Sequence, residues 1–176
     1  GLDGRPAIAF DWASVDEYLA RYDGAASVNV AYVVGNSPLR IAALGWDEVE
    51  ASPAAVADQR ARLREAMEYG AFGLSTGLEY ESAHSATTEE VVELSKVAAR
   101  AGGFYISHVR DEAARTFDSY DEVMRIGREA KLPVQITHIK MGSTSVWHQA
   151  AKRMPGYFEQ AKKEGIDLKA DVYPYT

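Results

Sequence analysis

Two runs of this chain repeat one pattern, and each carries a histidine near its end. Residues 104–110 read FYISHVR and residues 134–140 read VQITHIK. Both are apolar, then small hydroxyl, His, β-branched residue and long cation. Neutral imidazole is the commonest protein ligand for transition metals. Two imidazoles at the ends of neighbouring strands, His108 and His138, point to a metal-dependent enzyme.

The elements that position them follow a cadence of about thirty residues, the period of βα units in a parallel sheet or barrel. Each histidine run follows a helix-like stretch rich in Ala, Arg and Glu, closing on Gly102-Gly103 or on Lys131-Leu132-Pro133. Further strands are expected at 26–34, 71–76 and 166–173, making five short strands separated by helices and hence a parallel sheet. Ser52 before Pro53 reads as a helix N-cap. Thr87 with Glu90 has capping-box spacing, and Gly102 suits the left-handed residue that ends the same helix. Polar residues at the C-terminal ends of such strands lie where barrels keep their active sites.

A complete (β/α)8 barrel takes about 250 residues and rarely fewer than about 200. With 176 residues and no initiator methionine, residues 1–176 are expected to be part of a larger barrel. A complete small open-sheet domain is the alternative. A net charge of −7 argues against a nucleic-acid or anionic-membrane surface. No apolar run approaches the roughly 20 residues of a membrane span, and residue 1 opens no signal-peptide pattern, so a cytoplasmic protein is expected. Without cysteine the chain forms no disulfide and offers a metal no thiolate. The loops 77–86 and 141–146 are the candidates for mobile active-site loops.

Several of these segments resemble, in order and in approximate spacing, motifs of the D-aminoacylase family, the N-acyl-D-amino-acid deacylases of the amidohydrolase superfamily. They are GAFGLSTGLEY at 70–80, ATTEE at 86–90, SHVRDE at 107–112, QITHIK at 135–140 and ADVYPYT at 170–176. VVGNSPLR at 33–40 is a further match, although the family usually has His where Asn36 stands here. The resemblance runs from about residue 26 to the end.

It implies a zinc-assisted amide hydrolysis within a metal-dependent hydrolase barrel of the TIM type, with one or two zinc ions. His108 and His138 take the positions of two strand-end ligands. Tyr80 matches a tyrosine that polarises the scissile carbonyl. Lys140 and Tyr173 match residues that hold the α-carboxylate of a small N-acyl amino acid. By strand alternation Lys140 is expected on His138's face and Arg110 on His108's, with Arg110 within reach of Asp111, Glu112 or a substrate carboxylate and expected above all in a structural salt bridge. Asp171 is a candidate to orient a ligand histidine. His84 and His148 are not expected to join the site. The family's His-x-His pair, metal-binding cysteine and catalytic aspartate have no counterparts in residues 1–176. Two histidines alone make an incomplete site, since a catalytic zinc takes at least three protein ligands.

Weak or absent metal binding and no turnover are therefore expected of the segment alone. Five strands of eight would leave two open edges and an inner face including Leu74, Ile106 and Ile136, so the segment is expected to self-associate. Two other readings stay open. One is an amidohydrolase that opens cyclic amides, such as a hydantoinase or dihydroorotase relative, although Thr76 stands where a carboxylated lysine would favour it. The other is a non-catalytic α/β module.

Overall fold

Ser52 caps a helix with its side chain: its Oγ accepts from Ala55 N at 3.2 Å, and Pro53 takes the first helical position. In the computed structural model, which describes residues 9–47 and 49–174, the expected alternation of strands and helices follows from such signals. The order is α1 (Val15–Ala20), β1 (Val33–Gly35), α2 (Asn36–Leu44), α3 (Pro53–Glu68), β2 (Gly73–Gly77) and α4 (Glu81–His84). Then come α5 (Thr88–Arg100), β3 (Phe104–His108), α6 (Thr116–Ala130), β4 (Val134–Ile136), a 3-10 turn (Thr144–Val146), α7 (Ala150–Glu164) and β5 (Leu168–Ala170). Thr87 Oγ1 accepts from Glu90 N at 3.2 Å at the start of α5. Gly102 beyond its end has φ of 75°, and Lys131 adopts the left-handed conformation after α6.

The five strands form one parallel sheet in the order β1-β2-β3-β4-β5. Sequential neighbours joined by helices are the arrangement of a barrel wall. Burial alternates along β3. Tyr105 and Ser107 are buried, while Phe104, Ile106 and His108 are only partly so. The same alternation sends Leu74 and Ile136, both fully buried, into the core beside helix residues such as Val91, Leu94 and Ile126. Of the three inner-face residues expected from the sequence, only Ile106 is left partly open, because Leu74 and Ile136 fall on the opposite phase of their strands.

The first strand is much shorter than its apolar run. β1 pairs only Val33–Gly35 with β2, and Val28 and Val30 upstream are exposed. A strand is as long as the neighbour it can bond, and only Tyr32 O, accepting from Phe72 N at 2.8 Å, extends this ladder. No helix among the described residues is long and apolar enough to cross a membrane. Tyr175 and Thr176, the end of the last motif, lie outside the described residues.

Candidate metal centre

β3 delivers His108 by simple alternation, whereas β4 delivers His138 through a break in it. The register pairs Ser107 with Ile136, so Thr137, not His138, stands opposite His108. Strict alternation would send the His138 side chain to the helix-covered face. Instead, Asp171 N donates to Ile136 O and Ile139 N donates to Asp171 O, at 3.2 and 2.8 Å. Two residues, Thr137 and His138, thus oppose one, Asp171. This is a β-bulge, which re-aims a side chain. His138 takes φ of 37°, a conformation His tolerates better than most residues. The bulge removes His138 N–H from the ladder, and the Asp171 carboxylate accepts it at 2.6 Å. The same carboxylate accepts from Thr137 Oγ1 and Gln135 Nε2. Burial pushes the Asp171 carboxyl up, but these hydrogen bonds outweigh it and hold its pKa below the usual aspartate range.

The result is two imidazoles whose facing nitrogens, His108 Nδ1 and His138 Nε2, lie 3.0 Å apart. Their outer nitrogens meet carboxylates. His108 Nε2 is 2.8 Å from Glu79 Oε2, and His138 Nδ1 is 2.9 Å from Glu112 Oε1. When both outer N–H groups donate to these carboxylates, two lone pairs confront each other unless a proton or cation lies between them. Nitrogens each about 2.0–2.1 Å from one zinc sit at roughly this spacing. Among the described residues, His108, Glu112 and His138 form a group whose donor atoms all lie within 4.8 Å of one another. The two facing imidazole nitrogens therefore fit as two ligands of a zinc ion, with Glu112 beside them as the partner of His138 Nδ1. Carboxylates on the outer imidazole nitrogens are what a metal-bound histidine ordinarily carries.

The other expected residues gather on the same cluster. Tyr80 tilts over His108 with ring centroids 4.7 Å apart, and Tyr173 stacks on His138 at 5.4 Å. Lys140 Nζ is 2.9 Å from His138 Nδ1, 2.5 Å from Glu112 Oε2 and 5.3 Å from the Tyr173 ring centre. Partial burial pulls the Lys140 ammonium down, but Glu112 and Tyr173 more than compensate and hold its pKa above the ordinary lysine value. Its position follows from the irregular chain after the bulge rather than from alternation, since β4 stops at Ile136.

Three readings take a more specific form in the structure. Arg110 bonds neither Asp111 nor Glu112. Its guanidinium meets Glu122 and the carbonyls of His84 and Ala86. Asp171 holds the backbone of His138 rather than its ring, a task that falls to Glu112. The loop 77–86 contains the short helix α4 and is held by arginine hydrogen bonds. Glu79 and Glu112 were missed as partners. Both lie inside the motifs GLEY and SHVRDE, but only the fold shows that a carboxylate four residues past His108 returns to meet His138. His84 and His148 stay outside the donor group. Asn36, where the resembled family usually has histidine, is fully buried at the start of α2. Thr76 is buried with its hydroxyl 2.7 Å from Tyr105 Oη and 3.0 Å from Ser107 Oγ, facing away from the histidines.

No known family model matches the chain. It is 37% identical over 151 residues to a D-aminoacylase of Alcaligenes xylosoxydans xylosoxydans, covering 86% of this chain and 31% of that one. An N-acyl-D-aspartate deacylase of the same organism is 32% identical over 173 residues, 97% of this chain and 35% of that one. A solved N-acyl-D-glutamate deacylase from Bordetella bronchiseptica, complexed with zinc and a phosphonate inhibitor, superposes with a TM-score of 0.88. It shares 30% identity and covers 98% of this chain and 36% of that one. A D-hydantoinase, at 12% identity and a TM-score of 0.55 over 91% of this chain and 36% of its own, shares the fold. The chain spans about a third of the length of the curated relatives it matches.

Proposed function

Because this chain matches a segment of the D-aminoacylase family of amidohydrolases, we propose that the intact protein hydrolyses the amide bond of N-acyl-D-amino acids at a zinc centre that includes His108 and His138. One observation carries the reading: a bulge brings His138 to within 3.0 Å of His108, and both outer nitrogens already have carboxylate partners. When bound, zinc supplies a water of lowered pKa and polarises the carbonyl under attack.

The chain's own residues do the rest. His108 Nδ1 and His138 Nε2 would hold the ion, with Glu79 beside the outer nitrogen of His108 and Glu112 and Lys140 beside that of His138. The Tyr80 hydroxyl donates to the scissile carbonyl oxygen, where negative charge develops. Lys140 takes the substrate's α-carboxylate through a charge-assisted hydrogen bond, with Tyr173 beside it. Glu112 holds the ammonium before substrate arrives, so the α-carboxylate competes for a preformed cation. Among the described residues no further histidine or cysteine joins the two imidazoles.

β2 reads GLSTG and carries no lysine, and Thr76, bonded to Tyr105 and Ser107, faces away from the histidines, so nothing on this strand could form a carboxylated-lysine centre. The test is hydrolysis of paired N-acetyl-D- and N-acetyl-L-amino acids by the zinc-loaded intact protein. Preference for the D series, with Lys140→Ala raising KM about ten-fold or more at little change in kcat, is expected where uniform binding is lost. Equal turnover of both enantiomers would overturn the assignment.

A further inference from the structure

Tyr80 is 57% exposed, so packing around its ring does not fix it. The segment that follows must hold it, yet α4 has only four residues, far too few to be stable alone. Its carbonyls are gripped from outside. Arg40 on α2 donates from Nε to Ser82 O at 3.1 Å. Arg110 donates to His84 O at 2.9 Å and to Ala86 O at 2.8 Å. Each guanidinium is anchored in turn by a carboxylate on a long helix. Glu90 of α5 accepts two bonds from Arg40 Nη1, at 2.7 and 2.5 Å, and Glu122 of α6 accepts from Arg110 at 3.0 and 2.8 Å. Arg40 and Glu90 are almost completely buried. Every second carbonyl from residue 82 to residue 86 thus accepts from an arginine.

We propose that Arg40 and Arg110 are positioning residues that clamp the segment 79–86, and so set Glu79 and Tyr80 against His108. The guanidinium is suited to this because its rigid fork of five donors can bond a carboxylate and two carbonyls together, which a lysine ammonium cannot match in plane. The effect on catalysis rests on the deacylase reading; the clamp itself does not.

The test is Arg110→Lys in the intact protein, with two readouts. Hydrogen exchange of amides 79–86, measured without zinc or substrate, is expected to quicken about ten-fold or more while exchange elsewhere stays unchanged, the mark of local opening. In the zinc-loaded enzyme kcat is expected to fall about ten- to a hundred-fold with KM nearly unchanged, as a displaced catalytic group predicts. Arg40→Lys is the second arm. Should that buried change prevent folding, Glu122→Gln weakens the Arg110 anchor without touching the segment, and the same local loosening is expected. Arg125→Lys, at exposed ion pairs with Glu89 and Glu129, is the control and leaves both readouts in place. Unchanged exchange at 79–86 in Arg110→Lys and Glu122→Gln overturns the clamp, and loosening without loss of kcat overturns its positioning role. A wild-type protein with no N-acyl-D-amino-acid hydrolysis counts against the deacylase reading, and the exchange result alone then decides the clamp.

Discussion

His138 meets His108 because Asp171 holds open the bulge that turns it. A plain continuation of β4 would place the two imidazoles on opposite faces of the sheet. The extra residue, the φ of 37° and the Asp171 carboxylate on His138 N–H together reverse the phase. A backbone held in this region costs of order 1–3 kcal/mol and persists only where its surroundings impose it.

Asp171→Ala removes the acceptor for His138 N–H, Thr137 and Gln135. Loss of a group that orients a metal ligand is expected to weaken zinc binding about 10- to 100-fold. Competition against a chromophoric chelator measures it. An unchanged zinc affinity would mean that the bulge stands without Asp171.

Gly77 and Tyr80 give a steric test. A Cβ at residue 77 would lie 2.7 Å from Tyr80 Cδ2, so Gly77→Ala pushes the ring off its place over His108. The expected outcome is a kcat lowered about ten-fold or more with zinc content and melting temperature little altered. Gly73 is the contrast, since its Cβ would run into the carbonyl oxygen of Phe104 on the next strand. Gly73→Ala is expected to destabilise the fold by about 3 kcal/mol or more, because backbone cannot swing aside as a ring can. Denaturant unfolding separates the two outcomes.

Tyr105 gives the alkaline limb of stability. Burial raises its pKa to about 12, against 10.0 ordinarily, although Ser107 and Thr76 hydrogen bonds pull it partly back. The folded state therefore keeps this proton longer than the unfolded chain. Its contribution is complete below pH 10 and is lost as pH rises through about 12. Two units correspond to about 2–3 kcal/mol over that window. Tyr105→Phe is expected to flatten the stability loss between these limits in denaturant melts. An unaltered slope would place the alkaline sensitivity elsewhere.

Much of this was legible from residues alone, for definite reasons. Ser52-Pro53, Thr87 and Gly102 act through local backbone chemistry, so the helix boundaries they mark needed no tertiary information. The parallel sheet follows from the βα cadence. The repeated FYISHVR and VQITHIK patterns picked out the right histidines but hid how they differ, because a bulge is decided by hydrogen bonding between β4 and β5. The place of Lys140 was expected by alternation and is reached by a different path. Glu79 and Glu112 could not be assigned because exposed-looking carboxylates are common, and their partners lie on other strands. Leu74 and Ile136 were placed on the wrong face, since strand phase is fixed only by what covers each side. The open length of 26–32 has the same origin: apolar residues propose a strand, but neighbouring backbone disposes how long it pairs.

The most direct test is the zinc dependence of N-acetyl-D-amino-acid hydrolysis by the intact protein and by His138→Ala, each first stripped by a chelator. The account predicts that stripped wild type is inactive and regains saturable turnover as zinc is added, while His138→Ala stays inactive at the same zinc concentrations. Full turnover by the stripped protein, or full recovery by His138→Ala, would contradict it.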